Sequence, residues 1–197
     1  MHGTKLLATL HCRCERLWLR GLRMVFQFDA WHASAPYACR PYKRKIVELV
    51  NALEPATVVE VGCGLGEILS RIRANERFGF DADRAVIRAA RFLHGGKVHW
   101  INADLAAVAT LLPEKRRIDC LIMVNWIHNL SPEQLWVCLR PLLSRIKWLV
   151  LDAIDRDGPA SYRFKHDFAF LAAVTERNSI IRVPNEPRSF IIFKVIQ

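Results

Sequence analysis

No run of eighteen apolar residues occurs anywhere in the 197-residue chain, because Arg, Asp or His breaks the longest candidates within a few positions, and that excludes a membrane-spanning helix. There is no paired C-x-x-C among the six cysteines at 12, 14, 39, 63, 120 and 138, so a structural zinc site is not expected and no metal is assigned. Cys63, Cys120 and Cys138 sit among apolar residues as small buried hydrophobes do, and the cysteine usage reads as that of a reducing cytoplasm. A secretory signal is also missing: the apolar patch Leu6 to Leu10 is short and runs into His11, Arg13, Glu15 and Arg16. Internal repeats and Pro-, Ser- or Gly-rich linkers are absent, which argues against two separate domains, as does the length. With 52% hydrophobic and 24% charged residues, neither disorder nor a collagen-like repeat fits.

Acidic residues are scarce at the start. The first fifty residues hold nine Lys or Arg against Glu15, Asp29 and Glu48, which places six of the ten net positive charges there. Such an excess suits an anionic partner and says nothing about fold. Arg13, Arg16, Arg20 and Arg23 recur at three, four and three residues, so they line one side of a helix while Trp18, Leu19, Leu22, Val25 and Phe26 occupy the other. Two uses suit this basic amphipathic helix: a lid with its apolar side on the body and its arginines in solvent, or docking on an anionic membrane surface that makes a cytoplasmic protein peripheral.

From residue 57 onward short apolar runs alternate with helical stretches, the pattern of a parallel sheet covered by helices. Strands are expected at 57–61, 77–80, 97–101, 118–124, 148–151, 179–183 and 190–195, and helices at 41–53, 68–74, 84–93, 105–112, 132–146 and 164–175. The division is into residues 1–54, a helical lid, and 55–197, the binding domain.

The strongest local signal is Val58-Val59-Glu60-Val61-Gly62-Cys63-Gly64-Leu65-Gly66-Glu67. A strand enters and three glycines follow at alternate positions, which leaves main chain bare for a ligand. A dinucleotide fingerprint needs glycine at position 67, where Glu67 stands, and no P-loop lysine follows. Linked phosphates therefore fit poorly, whereas Glu60 suits a cationic amine or sulfonium. Asp81, at the end of the next strand, lies nineteen residues beyond Gly62, a separation at which a carboxylate reaches ribose hydroxyls.

With these residues the sequence resembles the class I S-adenosylmethionine-dependent methyltransferases. Glu60, Gly62, Gly64 and Gly66 match the family's acidic residue followed by G-x-G-x-G, Asp81 in Phe78-Gly79-Phe80-Asp81 matches the second motif, and Asp104 in Asn102-Ala103-Asp104 is similar to the segment that meets the adenine amine. The resemblance covers roughly residues 40 to 155 and implies a doubly wound seven-stranded Rossmann-like α/β sheet with a last antiparallel hairpin, S-adenosyl-L-methionine as cofactor, and transfer of a methyl group to oxygen or nitrogen of a small-molecule or glycan-like acceptor. Asn125-Trp126-Ile127-His128, after the fourth strand, looks like the segment that faces the transferred methyl. Asn125 and His128 are then candidate catalytic residues, His128 as base, with His166, Asp152, Tyr162 and Asp167 behind them. Tyr37, Arg40 and Tyr42 precede the first motif, where similar enzymes close over the cofactor. An Asn/Asp-Pro-Pro-aromatic motif is absent, which speaks against methylation of nucleic-acid bases. Each residue has a plainer use: the glycines for a tight turn, Asp104 as a helix cap, His128 as a turn residue bonded to backbone. The alternative function is an RNA methyltransferase, or a non-catalytic cofactor-binding regulator that grips nucleic acid through its arginines.

Overall fold

The computed structural model describes residues 2–34, 36–113, 115–155, 161–182 and 187–196. Seven strands form a single sheet in the order β3-β2-β1-β4-β5-β7-β6, with β1 Thr57–Val61, β2 Glu76–Asp81, β3 His99–Asn102, β4 Ile118–Met123, β5 Ile146–Ile154, β6 Thr175–Arg182 and β7 Arg188–Val195. The strands β1 to β5 pair in parallel, and β7 runs antiparallel to both neighbours. The order reverses between β1 and β4, and ligands of open α/β sheets bind at that switch point, beyond the carboxyl ends of the strands. The expected last strand at 179–183 begins earlier, at Thr175, and Val183 lies outside the described residues.

Both faces of the sheet are buried at its centre, so β1 and β4 read as near-continuous apolar runs. Val59 and Val61 of β1 point to one core with Leu121 and Met123, while Val58 points to the other with Cys120 and Ile122. Helix α5 (Leu105–Leu111) and helix α6 (Pro132–Leu139) cover the first face; α3 (Pro41–Ala52) and α4 (Arg84–His94) cover the second. Asp83 caps α4 by accepting the N–H groups of Ala85 and Val86, and Ser131 with Gln134 forms a capping box on α6.

Three expected helices differ. Between β1 and β2 only a 3-10 turn at Leu69–Arg71 forms in place of a helix over 68–74. The fourteen residues from 62 to 75 must carry the glycine loop as well as the crossover, and little length is left for a helix. Residues 132–146 split at Pro141: α6 stops at Leu139 and a 3-10 segment runs over Arg140–Arg145, because proline lacks the N–H a continuing helix needs. Residues 164–175 hold only a short turn at Ala169–Leu171, with Phe168 in the left-handed region (φ 60°).

Helix α1 (His2–Phe26) and the short α2 (Ala30–Ser34) precede this body. Leu19 and Leu22 of α1, with Phe28 and Ala33, bury against Val86 and Ala89 of α4 and against Leu65 of the glycine loop. Trp18 and Val25, expected on this apolar side, are instead exposed. A disulfide joins Cys12 of α1 to Cys39, which the reading of the cysteines as those of a reducing compartment did not foresee: Cys12 and Cys39 are brought together only by the fold. Among the described residues no helix is long and apolar enough to cross a membrane.

Candidate active site

A cavity of about 620 Å³ opens at the switch point over the glycine loop, within the size range of small-molecule pockets. Backbone geometry explains the glycines. Gly62, Gly64 and Gly66 all have positive φ (69°, 54° and 74°). At Gly62 a Cβ atom would lie 2.1 Å from the ring of Trp126, and at Gly66 2.1 Å from the ring of Trp100. Both positions are therefore closed to any side chain. The Trp126 indole N–H donates to the Val61 carbonyl, so the loop is clamped from both sides. His32 of α2 stands over Gly64.

Carboxylates ring the loop. One oxygen of Asp81 accepts the Gly64 N–H at 2.9 Å and the other the Asp83 N–H at 3.0 Å. Asp104 caps α5 through the Ala107 N–H and lines the cavity as well. Glu60 is buried and accepts the Leu69 N–H at 3.1 Å. Burial pushes its carboxyl up to about 8, and Lys43 and that N–H pull it back. Glu67 faces inward too, but it is committed: it takes the Tyr37 N–H and pairs with Lys43. Burial pushes the Cys63 thiol well above its ordinary value, which rules it out as a thiolate nucleophile.

The cavity's other end is built by residues far apart in the chain. Asn125 sits at φ 75°, its N–H donating to Asp152 and its amide nitrogen to the Tyr42 hydroxyl at 2.8 Å. Arg188, on β7, donates to the Asn125 amide oxygen and to the Tyr162 hydroxyl, and lies over the Tyr42 ring. Asp152, fully buried, lies 3.3 Å from Nε2 of His128 and 3.7 Å from Arg188. The other ring nitrogen of His128 meets the Phe164 carbonyl at 3.1 Å.

Sequence reasoning missed Arg188, since nothing in β7 marks a buried cation 63 residues from its partner Asn125. Of the catalytic candidates, Asn125 and His128 reach the cavity; Nδ1 of His128 meets the Phe164 carbonyl, while Nε2, 3.3 Å from Asp152, makes no hydrogen bond among the described residues. His166 lies outside the lining, stacked on Phe168 with Nε2 against the Ile127 carbonyl, and burial lowers its pKa. Tyr37 and Arg40 also lie outside. Tyr37 is covered by the Arg71 guanidinium at 4.0 Å and Arg40 sits over Trp31. Tyr42, named with them, does line the cavity, as do Trp31, His32 and Lys43.

No protein-family model and no curated protein sequence matches the chain. Solved structures do. The N-methyltransferase NodS from Bradyrhizobium japonicum WM9, bound to S-adenosyl-L-homocysteine, superposes with a TM-score of 0.69 at 12% identity, over 90% of this chain and 98% of that one. The chain has the class I methyltransferase fold. The magnesium protoporphyrin IX methyltransferase of Synechocystis PCC 6803, with S-adenosylmethionine bound, shares this methyltransferase fold at a TM-score of 0.58 and 14% identity, over 79% of each chain. Mitomycin 7-O-methyltransferase MmcR matches at 0.63 and 13%, over 89% of this chain and 60% of its own. The class I methyltransferase sheet thus persists here although the helix expected after the glycine loop has shrunk to one turn.

Proposed function

We propose that the cavity binds S-adenosyl-L-methionine and that the protein transfers its methyl group to an oxygen or nitrogen atom of a small-molecule or glycan-like acceptor. One observation carries this reading: Glu60, Glu67, Asp81 and Asp104 all line the cavity over the glycine loop, and Lys43, paired with Glu67, is the lysine or arginine among the lining residues. Asp81 and Asp104 disfavour a pyrophosphate, and Glu60, once ionised, suits a ligand whose ammonium and sulfonium are both cationic. The donor set fits. Each Asp81 oxygen holds one backbone N–H and keeps lone pairs for ribose hydroxyls; Glu60 would receive the ammonium and Asp104 the adenine amine.

When bound, the cofactor would supply an electrophilic methyl group on a cationic sulfonium, whose sulfur leaves as a neutral thioether. The chain's own residues supply position. Arg188 and Asp152 fix the Asn125 amide and the Tyr42 and Tyr162 hydroxyls, so the acceptor end presents rigid polar groups between aromatic walls. Trp31 and His32 of α2 close the cavity's edge and exclude water. Nε2 of His128, which makes no hydrogen bond among the described residues, is the group at this end that would take a proton from the acceptor, and orientation supplies much of the rate.

Calorimetry tests the reading. S-adenosylmethionine and S-adenosylhomocysteine should both bind, and Gly64→Val and Asp81→Ala should each weaken them at least about tenfold. Binding of NADH with neither sulfur ligand taken up overturns the cofactor assignment. A panel of phenols, sugar hydroxyls and amines, read by mass increase, tests transfer, and binding without transfer to any of them would leave a cofactor-responsive regulator.

A further inference from the structure

Helix α1 has three faces. The inner one bears Cys12, Glu15, Leu19, Leu22 and Phe26: Cys12 is bonded to Cys39, Glu15 accepts the Ala38 N–H, and Leu19 and Leu22 are buried. The second is the exposed arginine row at 13, 16, 20 and 23. The third is exposed and mostly apolar: Leu7, Leu10, Cys14, Leu17, Gly21 and Met24 recur at three and four residues, with Leu7 68%, Leu17 65% and Met24 81% exposed. Trp18 and Val25 border it. A methyl group added at Gly21 would meet nothing within 4 Å. Half of the twelve large apolar side chains left exposed among the described residues lie on this one helix.

In heptad terms the third face is the a/d seam and the buried Leu19 and Phe26 stand opposite it, so the seam points away from the body. A second copy could use such a seam, but Arg13 and Arg20 flank it and would face their own counterparts in an antiparallel pair, while Gly21 and Cys14 leave it shallow. Charge points elsewhere. The helix's one carboxylate, Glu15, is turned inward and engaged, so its solvent faces carry four arginines and no acidic group.

We propose that α1 docks the protein on an anionic lipid bilayer, its apolar seam sunk among the acyl chains and its arginine row against the headgroups. Helices of this build lie in the interface plane with the apolar side a few ångströms below the headgroups, and Trp18 stands where an interfacial indole belongs. The disulfide and the Leu19–Leu22 contact hold the helix on the body with the docking face outward. The proposal does not depend on what the cavity binds.

The test uses the full chain with its disulfide intact, sedimented with phosphatidylcholine vesicles and with vesicles in which about a third of the lipid is phosphatidylglycerol. Binding is expected on the anionic vesicles only, weakening as salt rises and by about fivefold for each of R13Q, R16Q and R20Q. The double variant L17D/M24D should lose binding at any salt, with unchanged near-ultraviolet dichroism because both side chains are exposed. Trp18 should blue-shift on binding, a shift that W18F removes. Equal binding to neutral vesicles, retained binding in L17D/M24D, or no binding together with a dimer that L17D/M24D dissolves each overturns the proposal. So does salt-sensitive RNA binding in a chain that ignores vesicles.

Discussion

Glu60 is the residue whose chemistry the fold alters most. Its carboxyl is raised to about 8 from an ordinary value of 4.5, so between those limits the folded chain keeps a proton that the unfolded chain gives up. Its contribution to stability is complete below 4.5 and is lost as pH rises through about 8. Unfolding free energy should therefore fall across that window, and Glu60→Gln should flatten the fall. If the carboxylate receives the cofactor's ammonium, affinity should climb from pH 6 to 8 with release of a proton, measurable by calorimetry in buffers of different ionisation enthalpy, and the Gln variant should show neither effect. Arg188 behaves differently. Replacing it with Met leaves Asp152 a buried carboxylate with only the Asn125 N–H and His128 beside it, and loss of one partner from a buried pair costs about 3–5 kcal/mol. Chemical denaturation should report that loss, and kcat should drop with the loosened Asn125 and Tyr162. The glycines, Asp81 and Asp104 were readable because their spacing is local to one strand end each. Arg188 was not, because it meets Asn125 through two strands, β5 and β7, that the sequence does not say are neighbours.

At the scale of elements, the disulfide closes residues 12 to 39 into a covalent loop that contains α2 with Trp31 and His32. Chain entropy assigns a loop of that length about 3.5 kcal/mol. The double variant C12S/C39S should unfold several degrees lower in a thermal scan and bind S-adenosylhomocysteine more weakly, since α2 must then be ordered at the moment of binding. Gel shifts with a maleimide reagent under reducing and non-reducing conditions check the state of the bond. The polar, exposed residues 176–178 at the start of β6 gave no strand signal, whereas the central strands β1 and β4 were legible because near-continuous apolar runs bounded by polar residues leave little choice. Helices were less so: 68–74 carries helix-forming residues, yet Ile68, Leu69 and Ile72 are all buried in a crossover too short to wind, and tertiary demand overrode local preference. The faces of α1 were misread for a related reason. Periodicity tells that Trp18 and Leu19 are apolar but not which of them meets α4.

Across the whole molecule, ten surplus positive charges surround a cavity whose own lining is acidic, so the cradle and the exterior attract opposite partners. Saturation with S-adenosylhomocysteine at a hundred times its dissociation constant should add about 2.7 kcal/mol, a rise of about 5–10 °C in a thermal scan, whereas NADH should add nothing. The doubly wound sheet and the position of its ligand end were implied by the resemblance that the glycine and acidic motifs carry. What was not foreseeable is how far the body depends on the chain ahead of it. Ile68, Leu69 and Ile72 lie in one cluster with Tyr42, Ile46, Val47 and Val50 of α3, so the side left bare by the missing crossover helix is roofed by residues that a motif search would cut away as a mere preface. A fragment starting at residue 55 keeps every signature glycine and aspartate. Expressed alone, it should aggregate, and adding back a peptide of residues 37–54 should recover part of it as soluble material in a centrifugation assay: the signature is housed in one stretch of sequence, but the roof over it comes from another.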